Sequence, residues 1–196
     1  MRCGVIFLLS VLSLSCAAPQ KSQREILSHF LRYVETIHGI QVHNSLVITV
    51  NFVQSIVDNV PVEHRGAGTS VLQNFANRGK NLRQRGTTAE KFAYINDIQG
   101  VFEGLKESFS VSAPESQQIG MSLVGLMAVA SEFVKEDEKV HSSFTEGAYQ
   151  MKTKLTPATI AQESELLNVI NKYITSNDIK QHETLIEEVL KFKNRY

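Results

Sequence analysis

The chain has 196 residues, 42% of them hydrophobic, and its 20 basic side chains balance its 20 acidic ones. Neutrality argues against bulk binding to nucleic acid. The length is enough to bury about 70% of the unfolded surface. With 11 Gly, 4 Pro and no Trp, the composition excludes collagen-like and disordered classes.

Residues 1–17 read as a secretory signal peptide. Arg2 supplies the positive start, Val5 to Leu14 the apolar stretch, and Ser15-Cys16-Ala17 the small residues before a cut at Ala18. Both cysteines, Cys3 and Cys16, fall in this leader. The mature chain, 18–196, is therefore expected to be a single, extracellular, disulfide-free domain that relies on apolar packing. It carries no Asn-x-Ser/Thr sequon.

Along the mature chain the periodicity predicts helices throughout. The first runs over 20–38, with Ile26, Leu27, Phe30, Leu31, Val34, Ile37 and His38 on one stripe and Gly39 as its terminator. The second runs over 44–60, where the β-branched cluster Val47 to Val50 favours strand but the length of the run decides for helix. After a loop over 61–68, helices follow over 69–85 and 88–109.

The segment 114–134 opens with Ser112 and Glu115 in capping-box spacing and with Pro114 in the first turn. It is apolar on every side, which predicts a buried helix at the centre of the bundle. Its apolar run is too short to span a bilayer, and no transmembrane segment is expected elsewhere in the mature chain. A break is expected near 135–143. Thr156-Pro157 then starts a further helix, and Ser176-Asn177-Asp178 resets the chain into the last one. The expected fold is all-α: a single-domain bundle of about seven helices around a hydrophobic central helix.

Candidate chemistry is sparse. Glu35…His38 and Glu138…His141 repeat the Glu-x-x-His spacing of di-iron bundles, but one pair closes its helix and the other sits in a charged run. No metal or cofactor is expected. Gly120 to Gly125 has one residue too many for a nucleophile elbow and lacks the preceding strand. No catalytic constellation emerges, and the chain is read as non-enzymatic.

Two weaker signals remain. Phe102, Phe109, Gly125 and Met127 are the residues expected to line a site for a lipid or other apolar small molecule between helices. Arg65, Arg78, Lys80, Arg83, Arg85 and Lys91 form a basic excess that would suit an extracellular protein or an anionic glycan. The leading expectation is a secreted helical-bundle protein that binds a hydrophobic ligand, and the alternative is an interaction protein working through its surface.

Overall fold

The computed structural model describes residues 22–110 and 112–196, and every regular element among them is helical. The expected signal peptide, with Cys3 and Cys16, lies outside the described residues. In chain order the α-helices are α1 (Gln23–Asn59), α2 (Ala67–Arg85), α3 (Thr88–Ser108), α4 (Pro114–Ser122), α5 (Leu126–Lys152), α6 (Pro157–Gln162), α7 (Ser164–Thr175) and α8 (Ile179–Lys191). Short 3-10 turns follow α1, separate α4 from α5, and close the chain at Phe192–Arg195.

The organising element is α1. Ser22 accepts the Glu25 N–H and the Glu25 carboxylate accepts the Ser22 N–H, a reciprocal cap at its start. The two helices expected over 20–38 and 44–60 are one continuous rod of 37 residues. Gly39 does not end it, because the buried stripe runs straight through: Leu27, Leu31, Val34, His38, Val42, Leu46, Val50, Val53 and Val57 stay in register. A helical glycine costs about 1 kcal/mol, and burial on both sides of it outweighs that. The β-branched cluster is helical too, with the Thr49 hydroxyl donating to the Ser45 carbonyl at 2.8 Å. Val60 leaves the helix extended before Pro61, and the Arg65 guanidinium donates to the freed carbonyls of Val57 and Val60 at 3.2 and 3.0 Å.

Two apolar cores share this rod. The first half of α1 packs with α5, α7, α8 and the chain end, through Leu27, Phe30, Phe144, Ile170, Ile186 and Phe192 among others. The second half packs with α2, α3 and α4, through Leu46, Val53, Ile56, Leu72, Tyr94 and Ile119. The turn at Lys154–Thr156 is tied to the start of α1 by Gln23, whose amide donates to the Lys154 carbonyl and accepts the Thr156 N–H. Gly79 on α2 lets α1 and α3 close in, since a Cβ there would collide with Val50 and the Tyr94 phenol.

The expected central helix is not central. Of segment 114–134, Ile119 is buried, whereas Met121, Val124, Leu126, Met127 and Val134 are exposed. The expected break over 135–143 is also misplaced. Helix α5 runs unbroken from Leu126 to Lys152, and the irregularity is the 3-10 turn Leu123–Gly125. The stripe Asp137, Val140, Phe144, Ala148 and Met151 docks on α1 and holds that stretch helical. The helix begun by Thr156 is interrupted at Glu163, which divides α6 from α7.

Glu115 does not cap its own helix with Ser112, since Ala113 takes the N-cap position. Its carboxylate instead accepts the Gly66 N–H (2.7 Å), the Thr69 N–H (2.7 Å) and the Thr69 hydroxyl (2.6 Å), satisfying the start of α2 from across the fold. Burial pushes this carboxyl up, but the bonds from Thr69, Gly66 and Gly68 together hold it below its ordinary value. A depressed carboxyl stabilises the fold above its unfolded titration range, and that contribution is lost as pH falls through the lower folded value. Glu115→Ala is therefore expected to cost about 2 kcal/mol at neutral pH, with the gap narrowing below about pH 4. Urea melts at both pH values would show a constant gap if the carboxylate were irrelevant.

Candidate functional site

Two features stand out in an otherwise ordinary helical core: a buried polar cluster and an uncovered apolar rod.

The cluster forms where α1, α5, α7 and α8 meet. His38, Asp137 and His182 are buried on the inward stripes of α1, α5 and α8. His182 Nδ1 and Asp137 Oδ2 share a hydrogen bond of 2.8 Å, and His182 Nε2 donates to the Ser176 carbonyl at 3.0 Å. The carbonyl can only accept, which fixes the Nε2 proton and turns Nδ1 to the carboxyl group. His38 Nε2 donates to Glu183 Oε1 at 2.9 Å. His141 donates to the Ile174 carbonyl at 3.2 Å and stacks on His182 with ring centres 5.0 Å apart. The Tyr173 ring lies beside both imidazoles, at 5.4 and 4.9 Å.

This arrangement clamps helices together. With both nitrogens of His182 engaged inside the protein, the Asp137–His182 dyad presents no free ring atom to a substrate. The two Glu-x-x-His pairs do not converge either. Glu35 accepts from Lys193 at the surface, and Glu138 is exposed. Among the described residues no group of three or more His, Cys, Asp or Glu is placed to hold a metal ion.

The Tyr173 hydroxyl is buried without a hydrogen-bond partner. Burial first, then the carboxylates of Asp137 and Glu183, push its phenol far up, so it stays neutral. An unpaired buried hydroxyl costs about 1–3 kcal/mol. Tyr173→Phe is accordingly expected to leave stability unchanged or raise it by about 1 kcal/mol, as read from a urea melt. A clear loss would mean that the hydroxyl is bonded through a water.

The uncovered rod is the segment from α4 into α5. Val124 and Met127 are 80% and 81% exposed, and Met121 60%. Between Glu115 and Glu132 no side chain is charged. Two described helical stretches are long and apolar enough to cross a membrane by length and composition, α1 and Pro114–Lys152. Of their apolar windows, 44% is buried for α1, as befits a core helix, and only 6% for Pro114–Lys152.

Of the sequence-predicted ligand residues, Phe102, Phe109 and Gly125 lie by the second core and Met127 lies apart from them. Phe102 and Phe109 pack partly buried against the second core, Phe102 near Phe52 at 6.2 Å between ring centres. Gly125 faces the Phe52 ring, and Met127 points to solvent instead of lining an interior site. The basic residues fall into smaller groups, each with its own partners. Arg65 caps α1, Arg78 pairs with Asp97 at 2.8 Å over the Phe75 and Tyr94 rings, Lys80 donates to Gln54, and Lys91 lies 3.4 Å from His43 Nδ1. Arg83 lies within electrostatic reach of His43, and Arg85 borders a surface cleft with Arg78 and Glu90.

No protein-family model, curated protein or solved structure matches the chain. Its function has to be read from these features.

Asp137, His182 and Glu183 did not figure among the expected site residues, although a signal existed. Asp137 is in step with Val140 and Phe144, and His182 with Ile186 and Val189. A polar residue on an inward stripe must find a buried partner.

Proposed function

We propose that the chain is a secreted, non-enzymatic lipid-binding protein that meets lipid through the exposed α4–α5 rod. The observation that carries this reading is the exposure of most of an uncharged, largely apolar segment. Soluble proteins rarely leave large contiguous apolar surface in water unless it contacts a partner or a membrane. Exposed residues surround much of the rod, including Met121, Val124, Leu126, Met127 and Ala130. A docked protein face covers one stripe of a helix, whereas lipid solvates every side that is left bare. The lipid reading therefore moves from an interior cavity to the outer surface. The leader over 1–17 supports secretion.

The uncharged stretch is about 24 Å long at 1.5 Å per residue, short of a hydrocarbon core of about 30 Å. The rod therefore lies within one leaflet, at the headgroup boundary. Partial burial of Met121, Val124 and Met127 supplies on the order of 4 kcal/mol, enough for reversible attachment.

Flotation with phosphatidylcholine vesicles tests the reading. The wild-type chain is expected to rise with the vesicles, and the double variant Val124→Asp/Met127→Asp to stay behind with unchanged helicity. Equal flotation of the two proteins would remove the rod from the function.

A further inference from the structure

The α4–α5 rod carries sulfur where water and solutes reach it. The described residues hold no cysteine and no tryptophan, and their methionines are Met121, Met127 and Met151. Met151 is 4% exposed within the first core, against 60% for Met121 and 81% for Met127. We propose that Met121 and Met127 are a modification site for hydroperoxides, and that their conversion to sulfoxides releases the protein from lipid. The release rests on the lipid reading of the rod.

Chemistry and access select these two side chains. With no thiol to compete, a thioether is the group that a peroxide oxidises first, and exposure then decides which thioether reacts. The sulfur lone pair attacks the distal peroxide oxygen, so that an S–O bond forms as the O–O bond breaks. Sulfur is oxidised by two electrons to the sulfoxide. The peroxide is reduced to water or an alcohol, and its leaving oxygen keeps the hydroperoxide proton.

The consequence follows from what else anchors the rod. Between Glu115 and Glu132 the exposed large apolar side chains are Met121, Val124, Leu126 and Met127. Half of this set is methionine. A sulfoxide is polar where the thioether was apolar, so these anchors stop favouring the acyl boundary while both cores are left untouched. Valine or leucine at the same positions would anchor the rod without being open to this change. Reduction of the sulfoxide restores the thioether, and attachment with it.

The test treats the full chain with dissolved hydrogen peroxide and, separately, with vesicles containing phosphatidylcholine hydroperoxide. Peptide mass spectrometry is expected to place an added oxygen on Met121 and on Met127, with Met151 unmodified. The arm that reacts identifies whether the peroxide comes from water or from lipid. Flotation of the oxidised chain with fresh phosphatidylcholine vesicles should fall at least about tenfold, at unchanged helicity. Met121→Leu/Met127→Leu should float like the untreated wild type and keep floating after peroxide. Oxidation in neither arm, oxidation of Met151 as fast as the other two, or loss of flotation by the treated leucine variant would each overturn the assignment. Undiminished flotation of chain oxidised at both methionines would overturn it too and leave the lipid reading standing. An untreated chain that stays off the vesicles would instead remove the lipid reading, and the release with it.

Discussion

Val53→Asp is expected to unfold the protein, while Val124→Asp leaves its stability within about 0.5 kcal/mol of wild type. Val53 is completely buried in the second half of α1, against α2 and α3. A carboxylate there must stay charged in an apolar environment or take up a proton, and either course costs several kcal/mol. Total stability of a domain is only about 5–15 kcal/mol, so little folded protein should survive mild urea. Val124 is 80% exposed, and an aspartate there remains hydrated. Urea melts of both variants check the pair. Comparable destabilisation would return the α4–α5 segment to the core and end the lipid-surface reading.

The same pair of residues shows what the sequence could and could not reveal. That the described residues are all-helical was legible, because apolar steps of three and four recur almost everywhere and residues such as Pro61 and Gly86 fall between elements. Which helix sits at the centre was not. Segment 114–134 is the most apolar, and apolarity all round is equally compatible with a core and with a surface that meets lipid. Helix α1 reads in the sequence as two separate helices, yet its buried stripe is continuous, twice as long as any other, and has partners on both halves. Periodicity reports the side of a helix that is buried and carries no record of what buries it.

The polar cluster was half legible. His38 already fell on the stripe of the first helix, but its partner Glu183 lies 145 residues away in sequence, and no local pattern joins them. The Glu-x-x-His spacing drew attention to Glu35 and Glu138, which the fold leaves at the surface. Glu115 failed for a related reason. Its spacing from Ser112 matches a local cap, and the carboxylate is used instead by a helix that begins 48 residues earlier, at Ala67.

Asp137→Ala should cost about 2–3 kcal/mol. The substitution leaves Nδ1 of the buried His182 without its partner while the Ser176 carbonyl still holds the other ring nitrogen. The orphaned nitrogen then lies among Tyr173, His141 and the apolar side chains of the first core. Removing both members, as Asp137→Leu/His182→Leu, should recover most of the loss, because well-packed apolar residues replace a buried polar pair at little net cost. A single-variant loss below about 1 kcal/mol would mean that the pair behaves as a surface contact.

The sharing of α1 between two cores bears on how the chain acquires its structure as it is made. The second core draws on residues from Leu46 to Ile119, all close in sequence, and can close as soon as that stretch has emerged. The first core joins Leu27 and Phe30 to Val189 and Phe192, the opposite end of the chain. Loop closure over that distance is slow, so the leading half of α1 must wait, with its apolar stripe bare, until α8 and Phe192 have emerged. Two cooperative units with different opening free energies follow. Amide hydrogens in the α2–α3 unit and the second half of α1 should exchange as one slow group, and those of α7, α8 and the first half of α1 as another. During biogenesis the leading half of α1 is the surface most in need of protection.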